Sequence, residues 1–238
     1  MPLRRALAAL ALLLAPLAAA AGGPERQPVV VELYTSQGCS ACPPADAFLR
    51  DLAARPDVIA LALHVDYWDY LGWRDVFARP LFTSRQHAYR EAAGERSVYT
   101  PEIVVQGVSH HPGSRREEVL AAVAAARAAP APAKVEIAPR GDLLEVRIAP
   151  LMGPAPEAVV WAVPYRHAPA KVLIEAGENS GRKAVHVNVA RDWLHLGDWD
   201  GRSTVRLMIT APEPGDGVAV ILQRGRIGAV LGAAKYEN

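Results

Sequence analysis

The sequence predicts an α/β domain with a helical insertion, followed by a β-rich domain of sandwich or barrel type. Three observations carry this. Residues up to about position 129 alternate short apolar runs with helical patterns, the order expected of layered α/β units. An Ala/Pro-rich stretch, Ala128–Ala133, then interrupts the chain as a linker would. After it come short β-type runs punctuated by turn residues, a spacing that favours an antiparallel sandwich or barrel. At 238 residues, 51% hydrophobic and 21% charged, the chain is long enough for two modest cores.

The first segment reads as a targeting signal. Arg4 and Arg5 precede an apolar run, Leu7–Leu17, and Ala18–Ala21 offer small-residue cleavage sites. Residues 1–21 are therefore expected to be a signal peptide and the protein periplasmic or secreted. No other segment is long and apolar enough to cross a bilayer. The formal net charge of +1 gives no electrostatic case for nucleic acid or an anionic membrane as partner.

The first domain is assigned to residues 22–129. Gln27–Thr35 reads as a buried strand through Val29, Val30, Val31 and Leu33. Ser36, Gln37 and Gly38 form a turn, and Asp46–Ala54 is helical with Ala47, Phe48, Leu49 and Leu52 on its apolar face. Val58–Val65 is a second strand, and Asp66–Gly72 is an aromatic, acidic loop. Trp73–Ala93 is the helical insertion, broken at Pro80. Glu102–Gln106 and Val108–His111 form a hairpin about Gln106-Gly107. Ser114 with Glu117 reads as a capping box that opens a helix through Arg127.

The second domain is assigned to residues 134–238. Its β-type runs are Lys134–Ala138, Leu143–Ile148, Ala158–Val163, Lys171–Glu175, Lys183–Val189, Thr204–Ile209, Val218–Gln223 and Ile227–Leu231. Clusters such as Pro139–Asp142 and Gly177–Gly181 separate them. No repeat of 20–50 residues is visible.

The only two cysteines, Cys39 and Cys42, are three positions apart. Export places them where disulfides form. A bridge between them closes almost no loop and so stabilises little. Chemistry explains the pair better than stapling. A thiolate is the nucleophile in disulfide exchange, and a helix N-terminus favours it. Cys39, after a strand and before a helix, is the candidate for the exposed attacking thiol, and Cys42 for the resolving one. Pro43 and Pro44 lack N–H donors, which places the start of helical bonding at Cys42 instead of Cys39. One Cys-x-x-Cys supplies half of a four-ligand zinc site; His110 and His111 are read as an exposed loop pair instead of the missing ligands. No metal or cofactor is assigned.

Two longer matches extend this reading. Val31–Thr35 followed by Gly38–Cys42 resembles the strand, turn, Cys-x-x-Cys and helix of thioredoxins and glutaredoxins. Tyr99-Thr100-Pro101-Glu102-Ile103-Val104-Val105-Gln106-Gly107 is similar to their second signature. Ser36–Asp46, with His64–Asp69 and Gly177–Arg182, resembles a bacterial family of exported thioredoxin-like proteins that carries a domain of unknown function. The resemblance implies a thioredoxin-like fold for the first domain. It implies Cys39 as nucleophile, Cys42 as resolver and Pro101 as a cis-proline that exposes the Thr100 backbone to an incoming strand. Glu32 is the counterpart of the buried acid behind the second cysteine, although strand alternation equally allows it to face away from the site. Substrate contacts are expected from Ser40, Ala41 and Tyr99. Asp66 and Trp68 either border the dithiol or serve as a helix cap and a packed aromatic. Gly177–Gly181, followed by Arg182 and Lys183, is read as a plain β-turn, with a ligand loop as the alternative.

The expected function is that of an exported thiol–disulfide oxidoreductase acting on protein or small-molecule thiols. The alternative is a binding module for a peptide or a soft metal such as Cu(I), without redox turnover. The direction of electron flow is open, because Ser40-Ala41 is neither family's usual dipeptide and about 30 mV is worth ~1.4 kcal/mol for this couple.

Overall fold

The computed structural model describes residues 26–238, so the expected signal segment lies outside the described residues. The elements run β1 (Val29–Thr35), α1 (Pro43–Ala53), β2 (Val58–His64), α2 (Pro80–Ala93), β3 (Glu102–Val105), β4 (Ser109–Pro112) and α3 (Arg116–Ala128). Ten strands follow: β5 (Ala133–Arg140), β6 (Leu143–Pro150), β7 (Ala158–Arg166), β8 (Ala170–Leu173), β9 (Lys183–His186), β10 (Val189–Ala190), β11 (Leu194–Trp199), β12 (Val205–Thr210), β13 (Asp216–Gln223) and β14 (Val230–Glu237).

The expected fold class is corrected here. The chain does not divide into a thioredoxin-like α/β domain with a helical insertion and a separate β domain. It builds one nine-stranded mixed sheet, ordered β14-β13-β7-β10-β2-β1-β3-β4, with β11 also paired to β7. Strands from both sides of the Ala/Pro-rich stretch share it. The seam is β10, two residues long, which runs parallel to β2 and antiparallel to β7. Its preceding residue explains why the run Lys183–Val189 looks like one strand yet is two. Asn188 takes φ 48°, a left-handed conformation that asparagine tolerates and that breaks the strand. The Asn188 side chain donates to the Ala60 carbonyl, and its own carbonyl accepts from the Ala62 N–H. A single turn residue thus stitches the late strands onto β2.

Strand alternation gives the sheet two buried faces. On one, Val30, Tyr34, Ile59, Leu61, Leu63, Trp161, Val163, Tyr165, Ala219 and Ile221 pack with Phe82 and Tyr89 of α2. This core spans strands from both sides of the linker, which is the packing expression of the continuous sheet. On the other face, Val31, Leu33, Ala60 and Ile103 pack against Phe48, Leu49 and Leu52 of α1 and Val119 and Val123 of α3. Further along, Val160, Val220 and Leu222 face Val135, Val146 and Ile148 of a small sheet, β12-β6-β5. This small sheet packs on one wing of the large one and makes no separate β domain.

Two local expectations also change. Pro80 does not break a helix. It opens α2 at its first turn, where a missing N–H costs nothing, and residues 73–79 are not helical. Ser114 does not cap α3: the residue before the first turn is Arg115, with no side-chain cap bond. The strand β11 went unread because Leu194–Trp199 carries His195, Gly197 and Asp198, which weaken an apolar alternation.

Candidate functional site

Cys39 and Cys42 are joined by a disulfide, with Cα atoms 5.4 Å apart. The bridge sits where β1 hands over to α1. The Ser36 carbonyl accepts from the Cys39 N–H, and the Cys39 carbonyl accepts from the Cys42 N–H. Cys42 is the N-cap of α1, and its carbonyl accepts from Ala45 and Asp46. Regular helical bonding thus begins at Cys42, as the two prolines require. The expected exposure of Cys39 is not found. Cys39 is 1% exposed and Cys42 0%, while Ser40 and Ala41 between them face solvent.

Trp68 and the Thr100–Pro101 pair close one side. The Trp68 indole N–H donates to Thr100 Oγ1 at 2.7 Å. A Cβ added at Gly38 would lie 3.1 Å from Trp68 Cβ, so the indole stem rests on the segment entering Cys39. The Thr100–Pro101 peptide is cis. A Cβ at Gly113 would lie 2.8 Å from both Ala45 and Pro101, so Gly113 lets Pro101 approach the first turns of α1. Trp68 thus links Thr100 to the segment entering Cys39, and Gly113 links Pro101 to Ala45 in the first turn after Cys42. Asp66 turns to α2 instead, where its carboxylate accepts from Thr83 at 2.6 Å. Tyr99 is half-buried; its carbonyl accepts from Gln86, and burial followed by the charge of Glu102 pushes its phenol up to about 12.

Glu32 lies on the other face of β1. Its neighbours in sequence, Val31 and Leu33, pack toward α1, so alternation turns Glu32 toward α2. There it is buried and accepts four bonds, from Arg85 Nε and Nη2 at 2.8 Å each and from Tyr34 and Tyr89 hydroxyls at 2.9 Å. Arg85 also stacks on Trp193, with its guanidinium carbon 3.6 Å from the ring centroid. Burial disfavours the charge on Arg85, but Glu32 outweighs it and raises the pKa. The carboxylate's bonds are spent on Arg85 and the two tyrosine hydroxyls.

A polar cluster, most of it unread in the sequence, also borders the disulfide loop. Asp46, four residues after Cys42 on α1, accepts from Thr35 Oγ1 at 2.9 Å. Burial holds its carboxyl up, at about 6, against the lowering influence of His64 and of the Thr35 bond. His64, at the end of β2, pairs with Asp75 at 2.7 Å, and Asp75 also accepts from the Gln37 N–H. Burial opposes the charge on His64, but Asp75 outweighs it and the pKa is raised. The His64 ring meets His186 of β9 edge-on, with centroids 4.7 Å apart. Burial, then the His64 charge, pushes His186 down to about 3, so this imidazole is neutral at ordinary pH. Asn179, in the turn between β8 and β9, donates to the carbonyls of both Gln37 and Cys39 at 2.9 and 2.8 Å. The supposedly plain turn Gly177–Gly181 is thus fastened to the disulfide loop. His110 and His111 are engaged with Glu102 and Ser109. Among the described residues no group of three or more His, Cys, Asp and Glu side chains is placed to hold a metal ion.

This is a small buried disulfide at a strand-to-helix junction of a mixed sheet, flanked by a polar cleft. Residues 30–223 match the family described as "Protein of unknown function (DUF1223)", and the chain belongs to that family. A crystal structure of an Agrobacterium tumefaciens protein is similar at 30% identity, covering 90% of this chain and 96% of that one, with a TM-score of 0.76. HBP35 of Porphyromonas gingivalis shares the fold at 14% identity and a TM-score of 0.59, over 91% of this chain and 76% of that one. No curated protein matches.

Proposed function

We propose that the Cys39–Cys42 pair exchanges with thiols and disulfides, making the protein an exported thiol–disulfide oxidoreductase. The observation that carries this is a disulfide between cysteines only three positions apart, set between a strand and the N-cap of α1. A bridge this local constrains the unfolded chain little, so stability does not account for it. The residue-level resemblance of Gly38–Cys42 and Tyr99–Gly107 to thioredoxin and glutaredoxin signatures supports the same reading.

In the reduced protein the Cys39 thiolate attacks one sulfur of a substrate disulfide, whose S–S bond breaks and releases the first substrate thiolate. The Cys42 thiolate then attacks Cys39 Sγ, and the second substrate thiolate leaves. Two electrons pass from protein to substrate, and the bridge seen here forms. Run backward, the same steps oxidise two substrate thiols. Because both cysteines are buried, exchange requires the loop that Asn179 fastens to open.

The test is a redox titration of the purified protein against a glutathione or dithiothreitol series. A reversible two-electron transition, abolished in Cys42→Ser, is expected. Absence of any transition, together with no insulin reduction and no thiol oxidation, rejects the proposal.

A further inference from the structure

We propose that the cleft between α1 and the β8–β9 hairpin binds the disulfide's small-molecule partner, an amino-acid or short-peptide thiol bearing free carboxylate and ammonium groups. This deepens the redox reading and rests on it for the partner's thiol.

The cleft has a volume of about 300 Å³, the lower end of the range for small-ligand sites and far below what a folded protein needs. Both arms of the disulfide loop reach it: Gln37 lines it from the side that leads into Cys39, and Pro43 from the side that follows Cys42. Asn179, which holds the Cys39 carbonyl, forms part of the wall. A molecule seated there is next to the exchange centre.

The charges select the ligand. Arg50, Arg182 and Lys183 line the cleft, and none forms an ion pair with a carboxylate among the described residues. Arg50 donates instead to the Val185 carbonyl. Against these three cations stands one acid, Asp46, whose nearest basic group is His186 at 3.9 Å. Three positive charges and one negative leave a net of +2 on the lining, which favours a ligand with more carboxylates than ammonium groups. Asp46 gives the ammonium its place, because its carboxylate makes no close ion pair among the described residues and His64 and Arg50 act on it only from a distance.

Hydrogen bonding points the same way. Among the lining residues, Gln37, Asn179 and His186 are 1%, 2% and 3% exposed. Gln37 Nε2, Asn179 Oδ1 and both ring nitrogens of His186 have no hydrogen-bond partner among the described residues. Buried polar atoms are normally satisfied. A spare amide donor at Gln37, a spare amide acceptor at Asn179 and the donor and acceptor of the neutral His186 ring together complement an amide or an α-amino acid, and an inorganic anion would satisfy only the donors.

The experiment titrates the oxidised wild-type protein calorimetrically with S-methylglutathione. This thioether carries two carboxylates, one ammonium and two amides, and it cannot exchange with the bridge. Saturable binding is expected, weakened about tenfold or more in the surface variants Arg182→Gln and Lys183→Gln, whose folding is checked by their unfolding midpoints. Acetylating the probe's amine should weaken binding to the wild type but not further weaken it to Asp46→Asn. Absence of saturable binding overturns the proposal, as does binding indifferent to these substitutions or matched by inorganic phosphate. The two readings fail separately. A protein that exchanges with insulin but does not bind the thioether loses only this site. One that binds it but shows no redox transition keeps the site and loses the reaction.

Discussion

Replacing Glu32 by Gln separates a structural acid from a catalytic one. The substitution keeps the shape of the side chain and removes its charge. Arg85, whose side chain is 5% exposed, is then left as a buried cation facing a neutral amide. Removing one member of a buried ion pair costs about 3–5 kcal/mol, mostly because the survivor stays desolvated. Part of the loss is softened, since Arg85 still donates to the Arg226 carbonyl at 3.1 Å and to Gln223 Oε1 at 3.1 Å. The lower end, about 3 kcal/mol, is therefore expected. For a chain of this size that is a fall in melting temperature of roughly 6–12 °C. Urea unfolding followed by tryptophan fluorescence measures it. Replacing the pair together, Glu32→Leu with Arg85→Met, should recover part of the loss. Recovery stays incomplete because the Tyr34 hydroxyl, whose acceptor is Glu32, is left without it at a cost of about 1–3 kcal/mol. The pH dependence of disulfide exchange should be the same in Glu32→Gln as in the wild type. A stability loss under about 1 kcal/mol, or a shifted exchange profile in a well-folded variant, would refute the structural assignment.

Two further outcomes follow from the polar side of the site. Asn179→Ala removes both bonds that fasten the β8–β9 turn to Gln37 and Cys39, so stability should fall by about 1–3 kcal/mol. The same variant should be reduced by dithiothreitol several-fold faster; an unchanged rate means this turn is not what shields the sulfurs. Asp46→Asn tests the raised carboxyl pKa, about 6 against an ordinary 3.8. Below the ordinary value Asp46 is protonated both folded and unfolded, and no penalty exists. Between about 4 and 6 the unfolded chain ionises first, so wild-type stability falls as pH rises, and it levels off above 6. The gap of about two units corresponds to ~3 kcal/mol. The Asn variant lacks this slope and should match the wild type near pH 4 and exceed it at pH 7, read from urea midpoints; a variant less stable at pH 7 contradicts the buried-acid account.

Much of the disulfide's immediate setting is legible because it is local. The Val-rich run of β1, the turn at Gly38, the two prolines and the apolar face of α1 lie within some twenty-five residues, and each follows from propensity or from a missing N–H. The hairpin about Gln106-Gly107 is legible for the same reason, with Gln106 and Gly107 both at positive φ. Glu32 was the point where local reasoning divided, since its role depends on which face of β1 meets α1. Alternation permits both answers, and only the arrival of Arg85 from α2, 53 residues later, selects one. The continuity of the large sheet was hidden for a related reason. Its seam, β10, is two residues long, too short to carry a period, and an Ala/Pro-rich linker ahead of it imitates a domain boundary.

That seam is also what completes the site. Once Asn188 sends the chain into β10 beside β2, the residues just before it cannot lie in the sheet, and β8 and β9 pair with each other alone. Arg50 of α1 then binds the Val185 carbonyl of β9, and Asn179 binds the Cys39 carbonyl across 140 residues of chain. The disulfide loop is therefore held between two elements that a two-domain reading would have kept apart. A version of the chain ending before β8 would keep both cysteines and the strand-to-helix junction. It would lose His186, Asn179, Arg182 and Lys183, which form the polar wall. If the disulfide exchanges as proposed, the hairpin from the far end of the chain is the element that borders its loop.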